Sequence, residues 1–167
     1  MKLCRGANVL PDRIDWSDVK RWPTSNPIED KLHLKLGDVV LAMDRPWIKS
    51  GIKVAQIKQE DLPSYLVQRV TRLRAKRGNS NSFLYFSIRH PAFTRHCGGL
   101  KTETTVPHIA SDNIKTYELP VPPPKVQQNF ERIAALTQAS SNKQKKLRDE
   151  ADDLFNSLVQ RAFKGVL

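Results

Sequence analysis

The apolar positions of this chain change their period along its length, and the changes mark its elements. Arg5-Gly-Ala-Asn-Val9, the Pro11-Asp12 step and Arg13-Ile-Asp-Trp16 read as a short strand, a turn and a second strand. Leu32, Leu34 and Leu36 then alternate with charged or polar residues up to Gly37-Asp38. That pair turns the chain into Val39-Val-Leu-Ala-Met43, an unbroken apolar run that predicts a strand buried on both faces. A loop over residues 44–51 and a returning strand over 52–57 complete a hairpin. Residues 65–77 alternate again, with Val67, Thr71 and Leu73 or their neighbours set against Arg69, Arg72 and Arg74, so the period of two predicts one strand with a charged face. After a Gly-Asn-Ser-Asn turn, residues 82–95 read as a helix carrying Phe83, Phe86, Ile88 and Phe93, with Pro91 interrupting it near its end. A polar loop over 98–108 leads to a helical turn over 109–114, which Ser111-Asp112 caps.

The last third has a different pattern. Pro120 and Pro122 to Pro124 hold an extended lead-in, because proline fixes φ and cannot continue a helix, and the last of them is tolerated in a first helical turn. From Lys125 to about Phe163 there is neither Pro nor Gly. At ~1.5 Å per residue such a helix is about 60 Å long, too long to be wrapped into the core of so small a domain. Alternate steps of four and three trace a seam through Val126, Phe130, Ile133, Thr137, Ser140, Gln144, Leu147, Ala151, Leu154 and Leu158, apolar at its ends and polar or small in its middle. Leu136, Phe155, Val159 and Phe163 widen it, and a run of Lys, Arg, Asp and Glu between residues 143 and 153 makes a solvated face. Two readings fit: an amphipathic helix folded against its own domain, or a coiled-coil spacer whose polar middle sets register at a cost in stability. The length favours the spacer.

Composition narrows the class. With 39% hydrophobic residues in 167 the chain has enough apolar surface for one core-bearing domain plus an appendage. No apolar run reaches the ~18 residues of a membrane span, and the first residues lack a secretory signal, which leaves the cytoplasm as the expected location. Cys4 and Cys97 carry no CxxC spacing and are expected as reduced thiols. The net charge of +11 points to a polyanionic partner, and no basic anchor helix favours a membrane over nucleic acid. The excess is uneven: residues 1–120 hold 20 Lys and Arg against 12 Asp and Glu, the remainder 8 against 5.

Three stretches carry the candidate contacts. In the hairpin loop, Arg45, Trp47 and Lys49 combine charge and an aromatic face suited to phosphates and bases, although Trp47 packed down as a lid is an equal reading. Arg69, Arg72 and Arg74 could meet phosphates, or could defend an exposed sheet edge. In the loop near residue 100, Lys101, Thr102, Thr104 and His108 follow paired glycines that let backbone approach a ligand, against the alternative of an ordinary flexible loop.

Catalytic patterns fit poorly. Pro11-Asp12 and Glu29-Asp30-Lys31 imitate a metal nuclease constellation, but a turn and a proline-flanked segment lack the buried strand that would aim both carboxylates at one Mg²⁺. His90, His96, Cys97 and His108 match no common zinc spacing and read as separate structural residues. A methyltransferase's Gly-rich cofactor loop and Asn-Pro-Pro-aromatic motif are both missing. No catalytic residue, metal or cofactor is expected.

The residues that do carry a resemblance are Leu119-Pro-Val-Pro-Pro-Pro-Lys-Val-Gln-Gln-Asn-Phe130 and Leu158-Val-Gln-Arg-Ala-Phe-Lys-Gly-Val-Leu167. They resemble the conserved spacer of the specificity subunits of type I restriction-modification systems, which runs from a Pro-Pro-leu-x-x-Gln opening to a closing Leu-x-x-x-Ala-Phe-x-Gly-x-Leu. Asn129 and Phe130 depart slightly from that pattern. Arg5-x-x-Asn8-Val9 followed by Ile14-Asp15, Gly37-Asp38 before a strand, and the Gly- and Thr-rich loop before Ile109 are similar to parts of that family's recognition domains.

The resemblance implies an α/β (α+β) target-recognition domain over residues 1–119 and a coiled-coil spacer helix over 120–167. It implies a non-catalytic subunit that binds double-stranded DNA and directs separate methyltransferase and restriction subunits. An independent dimeric DNA-binding regulator and a stand-alone nuclease are the rival readings. A full subunit of that family carries two recognition domains and two spacers, whereas this sequence holds one of each. The seam, with Phe130, Ile133, Leu147, Leu154 and Leu158, is therefore expected to pair with its own copy as a homodimer with antiparallel helices.

Overall fold

In the computed structural model, which describes residues 1–23, 25–26, 29–76, 78–98 and 107–165, the apolar run Val39-Val40-Leu41-Ala42 is a strand with every residue buried. The strands, in chain order, are β1 (Lys2–Cys4), β2 (Val9–Leu10), β3 (Arg13–Ile14), β4 (Val39–Ala42), β5 (Trp47–Ile48), β6 (Gly51–Ile52), β7 (Val54–Gln56), β8 (Ser64–Leu66) and β9 (Val70–Leu73). The helices are α1 (Asn81–Arg89), α2 (Pro91–His96), α3 (Ser111–Lys115) and α4 (Pro124–Phe163). Two compact units result, Met1–Gln127 and Gln128–Leu167.

The first unit is built around β4. It is the centre of an antiparallel sheet of order β7-β4-β9, with Val40 opposite Ala55 on one side and Arg72 on the other. Because side chains alternate across a strand, its four residues divide evenly between two cores. Val39 and Leu41 join Ile52, Val54, Tyr85, Ile88, Phe93 and Ile109 on the side covered by α1 and α2. Val40 and Ala42 join Cys4, Val9, Leu34, Ala55, Ile57 and Val70 on the other. Each fully buried aliphatic or aromatic side chain is worth ~1.5–3 kcal/mol, so burial on both faces makes this short strand the anchor of the unit. Gly37 turns the chain into β4 with φ 82°, a left-handed conformation that costs glycine little.

Several predicted elements are divided in the folded chain. Residues 5–8 form a turn rather than a strand, because the buried Asn8 amide accepts from the Arg5 backbone N–H (3.2 Å) and donates to the carbonyls of Asp15 (2.9 Å) and Asp18 (3.2 Å). The expected single strand over 65–77 is two: β8 pairs in parallel with β1, β9 with β4, and between them Arg69 takes φ 66°. The single helix expected over 82–95 is α1 and α2. Pro91 lacks an N–H and drives His90 into extended backbone (φ −66°, ψ 140°), where the His90 ring caps α2 by accepting from Ala92 N (3.3 Å). Ala110, not Ser111 or Asp112, is the cap residue of α3, and it makes no side-chain capping bond.

The second unit consists of the body of α4, in which the continuity expected from residue 125 to 163 is present. Along it Ile133, Leu147 and Leu154 are 56%, 55% and 61% exposed, and Lys146 pairs with Glu150 one turn on (3.5 Å). The start of α4 belongs to the first unit through Gln127, whose buried Oε1 accepts from the Ser80 N–H (2.8 Å). Its Nε2 donates to Asn79 Oδ1 (3.0 Å) and the Pro122 carbonyl (2.8 Å).

Candidate nucleic-acid interface

Where β4 ends, three separate stretches of chain are fastened together by their backbones. Met43 N–H donates to the Arg69 carbonyl (2.9 Å), Arg45 N–H to the Pro107 carbonyl (2.8 Å), and Ile109 N–H to the Met43 carbonyl (2.8 Å). The Asp44 carboxylate stands at this junction. Its Oδ1 accepts from the Arg69 guanidinium (3.3 Å) and lies 2.7 Å from His108 Nδ1. Arg45 and Arg69 both adopt left-handed backbone, φ 45° and 66°, which non-glycine residues adopt at a cost and which the surrounding bonds enforce here.

The junction forms one side of an open cleft of roughly 610 Å³, whose lining includes Arg5, Asp44, Arg45, Lys53, Gln68 and Arg69. Lys53 is only 9% exposed. Its backbone is held on both sides, N–H to the Pro46 carbonyl (2.7 Å) and carbonyl to the Ala42 N–H (3.0 Å). Burial pushes the Lys53 ammonium below the usual lysine range, the neighbouring Arg45 adds to the effect, and Asp44 opposes it. Arg5 is turned to Asp18 (2.9 Å). The cleft thus offers several cations against one central carboxylate, a balance that suits a polyanion.

The residues singled out in the sequence fall into four groups. Arg45 and Arg69 line the cleft, and His108 meets its Asp44. Lys49 is exposed at the tip of the β5–β6 hairpin. Trp47, Arg72 and Arg74 each have partners within the fold. The Trp47 ring packs on the core, its Nε1–H donating to Thr94 Oγ1 (3.2 Å), so the lid reading describes it. Arg72 donates to the carbonyls of Lys31 (2.7 Å) and His33 (3.2 Å). Arg74 forms a two-point pair with Asp38, 2.6 and 2.7 Å, and Asp38 is 1% exposed. The fourth group, Lys101, Thr102 and Thr104, lies outside the described residues.

Sequence reading missed Asp44 and Lys53. For Lys53 a signal existed: in Ile52-Lys-Val-Ala-Gln-Ile57 the period of two places it on the face of Ala55 and Ile57, both buried. For Asp44 there was none, since its partners are 25 and 64 residues away.

Apart from His108, the groups considered for chemistry lie outside the cleft. Asp12 accepts from the Tyr85 hydroxyl (2.6 Å) and Arg89 (2.9 Å), and Glu29 pairs with Lys31. His96 Nε2 lies 3.0 Å from the Asn113 carbonyl, while Cys97 is buried in the helix-side core. Among the described residues no group of three His, Cys, Asp or Glu is arranged to hold a metal. Both cysteines are free, and burial, followed by the nearby Asp61, pushes the Cys4 thiol up to about 12. No helix among the described residues is long and apolar enough to cross a membrane.

Fold and cleft together define a binding module of mixed strands and helices that continues into a helical rod. The chain belongs to the family of the type I restriction modification DNA specificity domain, which its residues 29–149 match. It is similar to the type I restriction enzyme EcoAI specificity subunit of Escherichia coli, 31% identical over 126 residues, covering 74% of this chain and 21% of that relative. The MjaVIII specificity subunit of Methanocaldococcus jannaschii is 31% identical over 129 residues, covering 73% and 29%. The chain therefore spans less than a third of the length of these curated relatives. Among solved structures, the HsdS subunit from Thermoanaerobacter tengcongensis superposes with a TM-score of 0.66 at 18% identity, over 99% of this chain and 42% of that one. A chain from work on complex assembly and conformational transition of the type I R-M system does so with 0.68 at 19%, over the same shares. These likenesses establish the fold.

Proposed function

We propose that this chain recognises a DNA sequence on behalf of a type I restriction-modification complex. Residues 1–119 contact the duplex, and residues 120–167 serve as the spacer. The observation that carries the reading is the match to the specificity domain over residues 29–149, and the cation-lined cleft supplies the surface it requires. In this reading the chain itself is not catalytic. It places separate methyltransferase and restriction subunits on their site, in the cytoplasm where those activities meet DNA. The exposed seam of α4 is the contact through which two copies pair, with antiparallel helices, so that the dimer reads a site with two-fold symmetry.

The test is selection from a randomised duplex library by the full chain together with its methyltransferase subunit. A defined recognition sequence should emerge, and the two proteins should co-purify. Recovery of no preferred sequence from a folded complex would refute the reading. A preferred sequence bound by the chain alone, with no affinity for the methyltransferase, would instead identify an independent DNA-binding regulator.

A further inference from the structure

Resting on that reading, we infer that Lys53, Arg45 and Arg69 form a seat for one backbone phosphate of duplex DNA, and that Asp44 is the internal anion the phosphate displaces. Three observations converge on this cleft. Lys53 is nine-tenths buried yet lines the cleft, and among the described residues neither its ammonium nor the Arg45 guanidinium has an ion pair. Most of the Lys53 side chain is packed away while its ammonium opens on the cleft, where Asp44 is the charge that opposes it, so the position suits an anion that arrives from outside.

Second, the two arginines that flank it hold left-handed backbone, enforced by bonds to the Pro107 carbonyl and from the Met43 N–H. Strain of this kind, maintained by three stretches of chain, fixes the direction of side chains that would otherwise roam. Third, Asp44 meets Arg69 and His108 through the same oxygen, at 3.3 and 2.7 Å, and both partners are partly exposed. A carboxylate at the centre of a basic cleft occupies with its single charge the place that a phosphate would take. When a phosphate enters, Arg69 exchanges one anion for another, while Lys53 and Arg45 gain the partner they lack. Weak, non-specific approach is thereby taxed, because every duplex must displace Asp44 before the seat is available.

The experiment measures binding of the full chain to its selected duplex and to mixed-sequence duplex across a salt series, for wild type, Lys53→Gln and Asp44→Asn. Lys53→Gln should flatten the slope of log K against log[salt] by about 0.9, which is roughly 3.5-fold in affinity over a fourfold change of salt. Asp44→Asn should tighten binding to both duplexes by roughly two- to fivefold, the scale of a half-exposed ion pair. The slope unchanged in Lys53→Gln, or affinity unchanged or weakened in Asp44→Asn, overturns the seat. Should Lys53→Gln fail to fold, Asp44→Asn decides alone. Inorganic phosphate that competes with duplex at fixed ionic strength would assign the cleft to free phosphate and overturn a DNA-specific seat. A wild type that binds no duplex at all defeats the DNA-recognition reading itself, a result distinct from these.

Discussion

Basic side chains that are close in sequence are held in unlike ways in this protein, Arg69 by the partly exposed Asp44 and Arg74 by the buried Asp38. Arg74 closes over Asp38, which is buried and also accepts from the Lys35 N–H (2.8 Å), so the pair fastens the turn into β4 to the end of β9. Removing the guanidinium leaves a buried carboxylate uncompensated, which costs ~3–5 kcal/mol in buried pairs. Arg74 is 38% exposed, so water relieves part of that loss and the lower end applies. Arg74→Ala is expected to lose about 3 kcal/mol in urea unfolding while leaving the salt slope of DNA binding as in wild type. A flattened slope would return Arg74 to the interface. Alternation along residues 70–74 puts Arg72 and Arg74 on one face, but does not show that Asp38, 36 residues before Arg74, waits there for one of them.

At the scale of elements, the sequence is most informative where one pattern runs without interruption. The apolar run at 39–43 and the Pro-free, Gly-free stretch after residue 124 yield β4 and α4 with nearly their expected bounds. It is least informative where backbone changes direction without Gly or Pro. The left-handed Arg69 splits a seemingly continuous strand into β8 and β9, which belong to different sheets. The sequence reading likewise gave Gln127 no role beyond its place in a motif. One of its three hydrogen bonds ties the first turn of α4 to Ser80, which also caps α1 by accepting from the Phe83 N–H (2.9 Å). Gln127→Ala leaves the buried Ser80 N–H without this acceptor, at ~1–3 kcal/mol for an unsatisfied buried group. Chemical denaturation should register that loss, and a variant as stable as wild type would show that Gln127 is dispensable to the first unit.

For the whole molecule the open question is what covers α4. Ile133, Leu147, Leu154 and Leu158 are all exposed, and each is worth ~1.5–3 kcal/mol when fully buried. If the seam pairs with its own copy, sedimentation of the wild type at tens of micromolar should give a dimer, and Leu147→Asp/Leu154→Asp a monomer. A wild-type monomer, or a dimer that survives both substitutions, would exclude pairing through this seam. Sequence made the seam legible because heptad spacing is local. It could not name the partner, since a second copy and a second spacer in a longer chain present the same face.

The same helix has one further property. Beyond Gln127 no residue of α4 is buried and most of its side chains are exposed, so its amides rely mainly on the hydrogen bonds of the helix itself. Most helical stability in proteins comes from packing of an apolar face, and this helix carries a polar middle. Its amide protons should therefore exchange with solvent far faster than those of β4, and slow down wherever the seam finds its cover. Hydrogen exchange along residues 128–163 thus makes α4 a built-in reporter of assembly, residue by residue, without any label.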